Sequence, residues 1–172
     1  LPFTLTVAQA QSLKEILADL ARPFAMSRLL QGDVGSGKTV VATAALLMAA
    51  ANSYQGAIMA PTEILAEQHF RTICQLFSRA GRLEEEENCL STYSGILSRP
   101  LTVAMLIGAL PRKRKTELQQ LIRDGEIDII IGTHALIQQD VTFHKLGYAV
   151  IDEQHRFGVE QRSALRQKGF NP

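Results

Sequence analysis

Gly32, Gly37, Lys38 and Thr39 stand at the spacing G-x-x-x-x-G-K-[ST], with Asp33, Val34, Gly35 and Ser36 between them. That spacing suits a polyphosphate. Gly32, Gly35 and Gly37 admit backbone angles that a side chain would forbid, so the chain can wrap its amides around phosphate oxygens. Those amides converge where a helix starts, and unpaired N–H groups and the helix dipole favour anions there. Lys38 would reach the β- and γ-phosphates, and the Thr39 hydroxyl would hold Mg²⁺. A second constellation completes the chemistry. Residues 148–151 form an apolar run that ends in Asp152 and Glu153. Asp152 would hold Mg²⁺, directly or through water, and Glu153 would orient and deprotonate an attacking water. A phosphate loop alone implies binding; the loop with this acidic pair implies hydrolysis.

Both constellations need a scaffold that brings them to one edge. The loop requires a strand before it and a helix after it, and residues 29–30 and 38–51 read as those elements. Further strands are predicted at 57–60, 102–107, 127–131 and 148–151, and helices at 63–79 and 112–123. The strands are short, apolar and do not alternate, as expected for a sheet covered on both faces. Repeated strand–helix units predict a doubly wound parallel α/β sheet with right-handed crossovers. Its carboxyl edge would carry the loop and the acids together. An amphipathic helix is predicted over 6–21, with Val7, Ala10, Leu13, Leu17 and Leu20 on one face and a Thr6–Gln9 capping box. Residues 83–101 break the rhythm. They contain Glu84 to Glu87 and then a Ser/Thr/Gly/Pro-rich stretch, and they read as a flexible surface loop with a solvated acidic run.

Composition narrows the class. The chain has 172 residues, 46% hydrophobic and 20% charged, which suits one globular domain with a full core. A net charge of +1 gives no electrostatic indication of nucleic acid. No apolar run is long enough for a membrane span. The two cysteines, Cys74 and Cys89, have no metal-type spacing and read as reduced thiols. The start, Leu1-Pro2-Phe3, lacks signal-peptide features and a Met, so a piece of a longer protein is expected.

Four stretches together resemble a known family. They are residues 32–39, the run Ala60-Pro61-Thr62-Glu63-Ile64-Leu65-Ala66-Glu67-Gln68-His69, the run Gly132-Thr133-His134-Ala135-Leu136-Ile137, and Asp152-Glu153-Gln154-His155 with its continuation to Arg162. The last is a DExH-type box of superfamily 2 helicases and translocases. The whole pattern is similar to the first RecA-like motor domain of RecG-type branch-migration helicases. The transcription–repair coupling translocases have a similar motor but typically carry Glu where this chain has Gln154.

The resemblance implies ATP as the nucleotide and Mg²⁺ as the ion, with DNA contacted through its backbone and without sequence preference. It implies that Gln154 and His155 sense the γ-phosphate. Gln9 matches an adenine-contacting glutamine, which competes with its capping-box reading. Pro61, Thr62 and Glu63 would touch the phosphates of the tracked strand, although Thr62 also reads as a plain N-cap. Gly132 and Thr133 would contact a phosphate in the same way. The basic run 112–115 reads first as a solvated helix face and second as a DNA-facing patch. Two features depart from the family pattern: residues 83–101 look inserted, and Ile107-Gly108-Ala109 stands where the family has Thr-Gly-Ser. The family also implies a second motor domain, a wedge domain that splits forks and Holliday junctions, and a bacterial cytoplasmic, nucleoid-associated setting, or an organelle in a eukaryote. The chain would be a partial first motor domain, with residues 1–28 as lead-in, and would have little activity alone. A non-catalytic nucleotide-binding module is the reading from another class.

Overall fold

The structure, a computed structural model, describes residues 3–22, 27–33 and 35–169. Five helices are seen among them: α1 Val7–Leu20, α2 Lys38–Ala51, α3 Glu63–Ala80, α4 Arg112–Asp124 and α5 Val159–Gln167. Six strands, β1 Gln55–Met59, β2 Arg82–Glu87, β3 Leu90–Ser94, β4 Leu101–Leu106, β5 Ile129–Gly132 and β6 Leu146–Ile151, form one sheet in the order β2-β3-β4-β5-β1-β6.

The helices form where their local chemistry directs. At α1 the Thr6 hydroxyl accepts from Gln9 N while Gln9 Oε1 accepts from Thr6 N at 2.9 Å, closing the expected capping box. α2 is apolar almost all round, and Val41 to Leu47 are all buried, so it is a core helix rather than a surface one. α3 is amphipathic: Ala66, Phe70, Ile73 and Phe77 recur at helical spacing and are its buried face. α4 ends at Gly125, whose φ of 77° lies in the left-handed region.

Strands β4, β5, β1 and β6 run parallel, with Leu106 opposite Gly132, Gly132 opposite Met59, and Met59 opposite Ile151 at their carboxyl ends. Both sheet faces are covered. A Cβ at Gly56 would collide with Leu46 of α2, whereas the Gln55 side chain, pointing the other way, donates to Ile122 O of α4 at 2.9 Å. β1, β5 and most of β4 are wholly buried, and the core is continuous across the sheet.

Three differences from the sequence reading matter. The sheet is mixed rather than parallel throughout. Residues 83–101, expected to be a loop, instead provide most of a β2–β3 hairpin that extends the sheet antiparallel from β4. β3 anchors it. Tyr93 is 1% exposed, donates to Cys74 O at 3.2 Å and meets Phe77 edge-on at 5.8 Å. β2 is exposed along its length, and its glutamates keep the outer edge of the sheet charged. The third difference is at residues 29–30. They are not a strand; no described strand lies beside them, and Leu29 is exposed. An extended segment without a ladder partner has no hydrogen bonds to make it a strand.

Candidate active site

The parallel register brings the predicted residues to one edge. Asp152 follows β6, Pro61 to Glu63 follow β1, Thr133 follows β5, and Gly108 follows β4. Backbone hydrogen bonds lock neighbouring ends together: Ala60 N donates to Gly132 O at 2.8 Å, and Asp152 N donates to Met59 O at 2.9 Å. The loop at 32–39 approaches the same edge from the start of α2. Gly35 and Gly37 have φ of 81° and 82°, the left-handed values expected of a chain curling around an anion. Ser36 N donates to Asp33 O at 3.0 Å, which tightens the turn. The Lys38 ammonium folds back to donate to Gly32 O and, at 3.0 Å, to Asp33 O. Thr39 is half-buried in the first turn of α2. Val34 lies outside the described residues.

Asp152 is the focus of the edge. His69 Nε2 lies 2.7 Å from its Oδ2. The bond from His69 holds this carboxyl below the usual carboxylate range, against partial burial, with help from the charge on Lys38. Glu153 sits in the left-handed region with φ of 51°, a conformation that costs a non-glycine residue of order 1–3 kcal/mol and gathers at functional sites. Its Oε2 is 3.3 Å from His155 Nε2. Gln154 and His155 form a solvent-exposed 3₁₀ turn, Gln154–Arg156.

Gln9 bridges two elements. It closes the α1 capping box, and its Nε2 donates to Ser36 O at 3.3 Å, so the first helix is clipped to the phosphate loop. Thr62 caps α3 by accepting from Leu65 N at 3.3 Å and remains exposed. Glu63 Oε1 accepts from Ala109 N at 3.0 Å and so ties α3 to the loop after β4. Thr133 is 2% exposed and its hydroxyl accepts from Ala135 N, so this side chain is turned inward. The neighbouring His134 is the exposed group there and helps to line a cleft of about 470 Å³ with Gly108, Arg112, Lys115 and Thr116. No described residue of 32–39 lines that cleft. Within the basic run, Arg114 pairs with Glu87 and, at 3.1 Å, with Glu117, while Lys115 donates to Gly108 O at 3.1 Å. Those two are structurally engaged rather than simply solvated.

The sequence reading gave His69 no role. Its signal was available: His69 is three residues beyond buried Ala66 and directly precedes buried Phe70, so it sits at the margin of the face that α3 turns to the sheet. What it would meet there could not be read from spacing.

A profile of the DEAD/DEAH box helicases matches residues 6–169. The chain belongs to the DEAD/DEAH box helicase family. Within that helicase family it is similar to the ATP-dependent DNA helicase RecG of Bacillus subtilis, 49% identical over 172 residues, all of this chain and 22% of the relative. The RecG of Streptococcus pneumoniae serotype 4 is 51% identical over the same span, again 22% of its length. A solved structure described as RecG bound to a three-way DNA junction superposes with a TM-score of 0.73 at 46% identity, covering 92% of this chain and 19% of that one. The chain thus spans about a fifth of the length of these relatives, and it has the RecA-like fold of the helicase family. No helix among the described residues is long and apolar enough to cross a membrane.

Proposed function

We propose that this chain is the ATP-binding motor domain of a DNA helicase or translocase that remodels branched DNA, such as forks and Holliday junctions, in recombination and repair. The observation that carries the reading is that the loop at 32–39 opens α2, which packs on β1, while Asp152 closes β6, the neighbour of β1 in the sheet. In this reading Gly32 to Thr39 cradle the triphosphate with their amides, and Lys38 exchanges its bonds to Gly32 O and Asp33 O for phosphate oxygens.

Thr39 and Asp152 are hard oxygen donors that fit Mg²⁺. Mg²⁺ when bound would neutralise charge on the phosphates; Thr39 and Asp152 are the side chains that would hold it. Glu153 orients the attacking water and takes its proton. Gln154 and His155, exposed beside it, face whatever closes over the nucleotide, and Gln9 contacts the base. DNA is bound through its backbone: residues 61–63 supply polar groups at the start of α3, whereas Gly132 and Thr133, which the resemblance would also place on a phosphate, are both buried. Binding of that kind is sequence-independent and weakens with salt. A second motor domain and a wedge domain of the parent protein would complete the machine, in the bacterial cytoplasm.

The test uses the full-length parent protein. Lys38→Ala abolishes ATP hydrolysis stimulated by junction DNA, and Glu153→Gln binds ATP normally without turning it over. An unchanged rate in Glu153→Gln refutes the assigned base, and an unchanged rate in Lys38→Ala refutes the site.

A further inference from the structure

His69 is out of place if α3 is only a packing element. The helix is pinned to the sheet by Ala66, Phe70, Ile73 and Phe77, all buried, and at its first turn by the bond from Ala109 N to Glu63. Between those anchors His69 has little freedom. Its side chain is 17% exposed and that of Asp152 is 32% exposed, so the 2.7 Å contact between them is partly shielded from water. Asp152 is held from the other side by its own backbone bond to Met59 O. An ionised carboxylate can only accept, so the imidazole donates from Nε2. That bond engages Oδ2 and restrains the carboxyl group.

We propose that His69 is a positioning residue for the cation site: by holding Oδ2 of Asp152 it fixes the carboxylate that would hold Mg²⁺. This rests on the reading of Asp152 as the residue that holds the ion. Carboxylates that bind metals are commonly oriented by an outer hydrogen-bond partner, and loss of such a partner weakens metal affinity about 10- to 100-fold. The buried anchors of α3 supply the rigidity that this role demands.

The experiment is a Mg²⁺ titration of fluorescent ATP-analogue binding to the full-length parent protein, with a parallel measurement in EDTA. His69→Ala raises the Mg²⁺ midpoint roughly tenfold, the lower end for an outer partner, and leaves binding in EDTA unchanged. His69→Gln, which retains an N–H donor of similar reach, restores most of the midpoint. Equal weakening with and without Mg²⁺ overturns the proposal, because a merely structural contact behaves that way. Asp152→Ala separates the two levels of the reading. If Asp152→Ala raises the midpoint and His69→Ala does not, the positioning role is wrong. If neither raises it, Asp152 does not hold the ion and both readings fall.

Discussion

Replacing Gly37 by Ala tests how the phosphate loop is held. Gly37 has φ of 82°, and an L-residue there is strained by roughly 1–2 kcal/mol. A Cβ at this position would also collide with Gln9 Nε2. Gln9 would have to swing away, breaking its 3.3 Å bond to Ser36 O and its 2.9 Å bond from Thr6 N. Both bonds are exposed, so each contributes only about 0.5 kcal/mol. The sum is about 2–3 kcal/mol, which is a loss of about 30- to 140-fold in ATP affinity if binding must restore the native loop. Gly35 is the internal control. Its φ is 81°, but a Cβ there would meet nothing within 4 Å. Gly35→Ala therefore carries the strain alone and loses about 5- to 30-fold. Fluorescent ATP-analogue binding to the full-length parent protein measures both. In a Gln9→Ala background the excess cost of Gly37→Ala disappears, giving a coupling of about 1 kcal/mol in the double-mutant cycle. Equal losses for the two glycines, or strict additivity with Gln9→Ala, refute the clip between α1 and the loop.

Tyr93→Ala removes a fully buried side chain, with its Phe77 contact and its bond to Cys74 O, and should destabilise the chain by about 3–5 kcal/mol in urea unfolding; a change under about 0.5 kcal/mol would return residues 83–101 to a surface loop. Arg99→Ala strands the Asp128 carboxylate, 7% exposed and 2.7 Å from Arg99 Nη2, and should cost about 2 kcal/mol by the same measurement, since Arg99 itself is partly exposed; Asp128→Asn in that background should recover part of the loss. Burial pushes the phenols of Tyr93 and Tyr148 from 10.0 up to about 12. The unfolded chain releases these protons first, so their contribution to stability is whole below pH 10 and falls as pH rises through about 12. Tyr148→Phe should therefore flatten the loss of stability in that window, and an unchanged slope would show that Tyr148 titrates normally.

Features written within a few residues of each other are legible in the sequence. The phosphate loop, the Thr6–Gln9 box, the Thr62 cap and the start of α2 at Lys38 depend on local backbone angles and on hydrogen bonds three or four residues long. The carboxyl-edge placement of Asp152 is legible too, because an apolar run ending in acids has few other ways to sit in an α/β sheet. Strand identity is less secure. The polar run of β2 carries no core pattern, and its conformation follows from pairing with β3, where Leu90 and Tyr93 supply the burial. Residues 29–30 have strand-like side chains but no described ladder partner, so composition misleads there in the opposite sense.

The sequence by itself determined which groups could handle phosphate, because that chemistry is carried by residue type and short spacing. Tertiary structure alone decided what surrounds them. His69 and Asp152 are 83 residues apart, Gln9 and Ser36 are 27 apart, and Glu63 and Ala109 are 46 apart. No local propensity records such pairs. They arise because parallel strands brought into register by their buried faces carry their carboxyl ends, and the helices that follow them, to one edge.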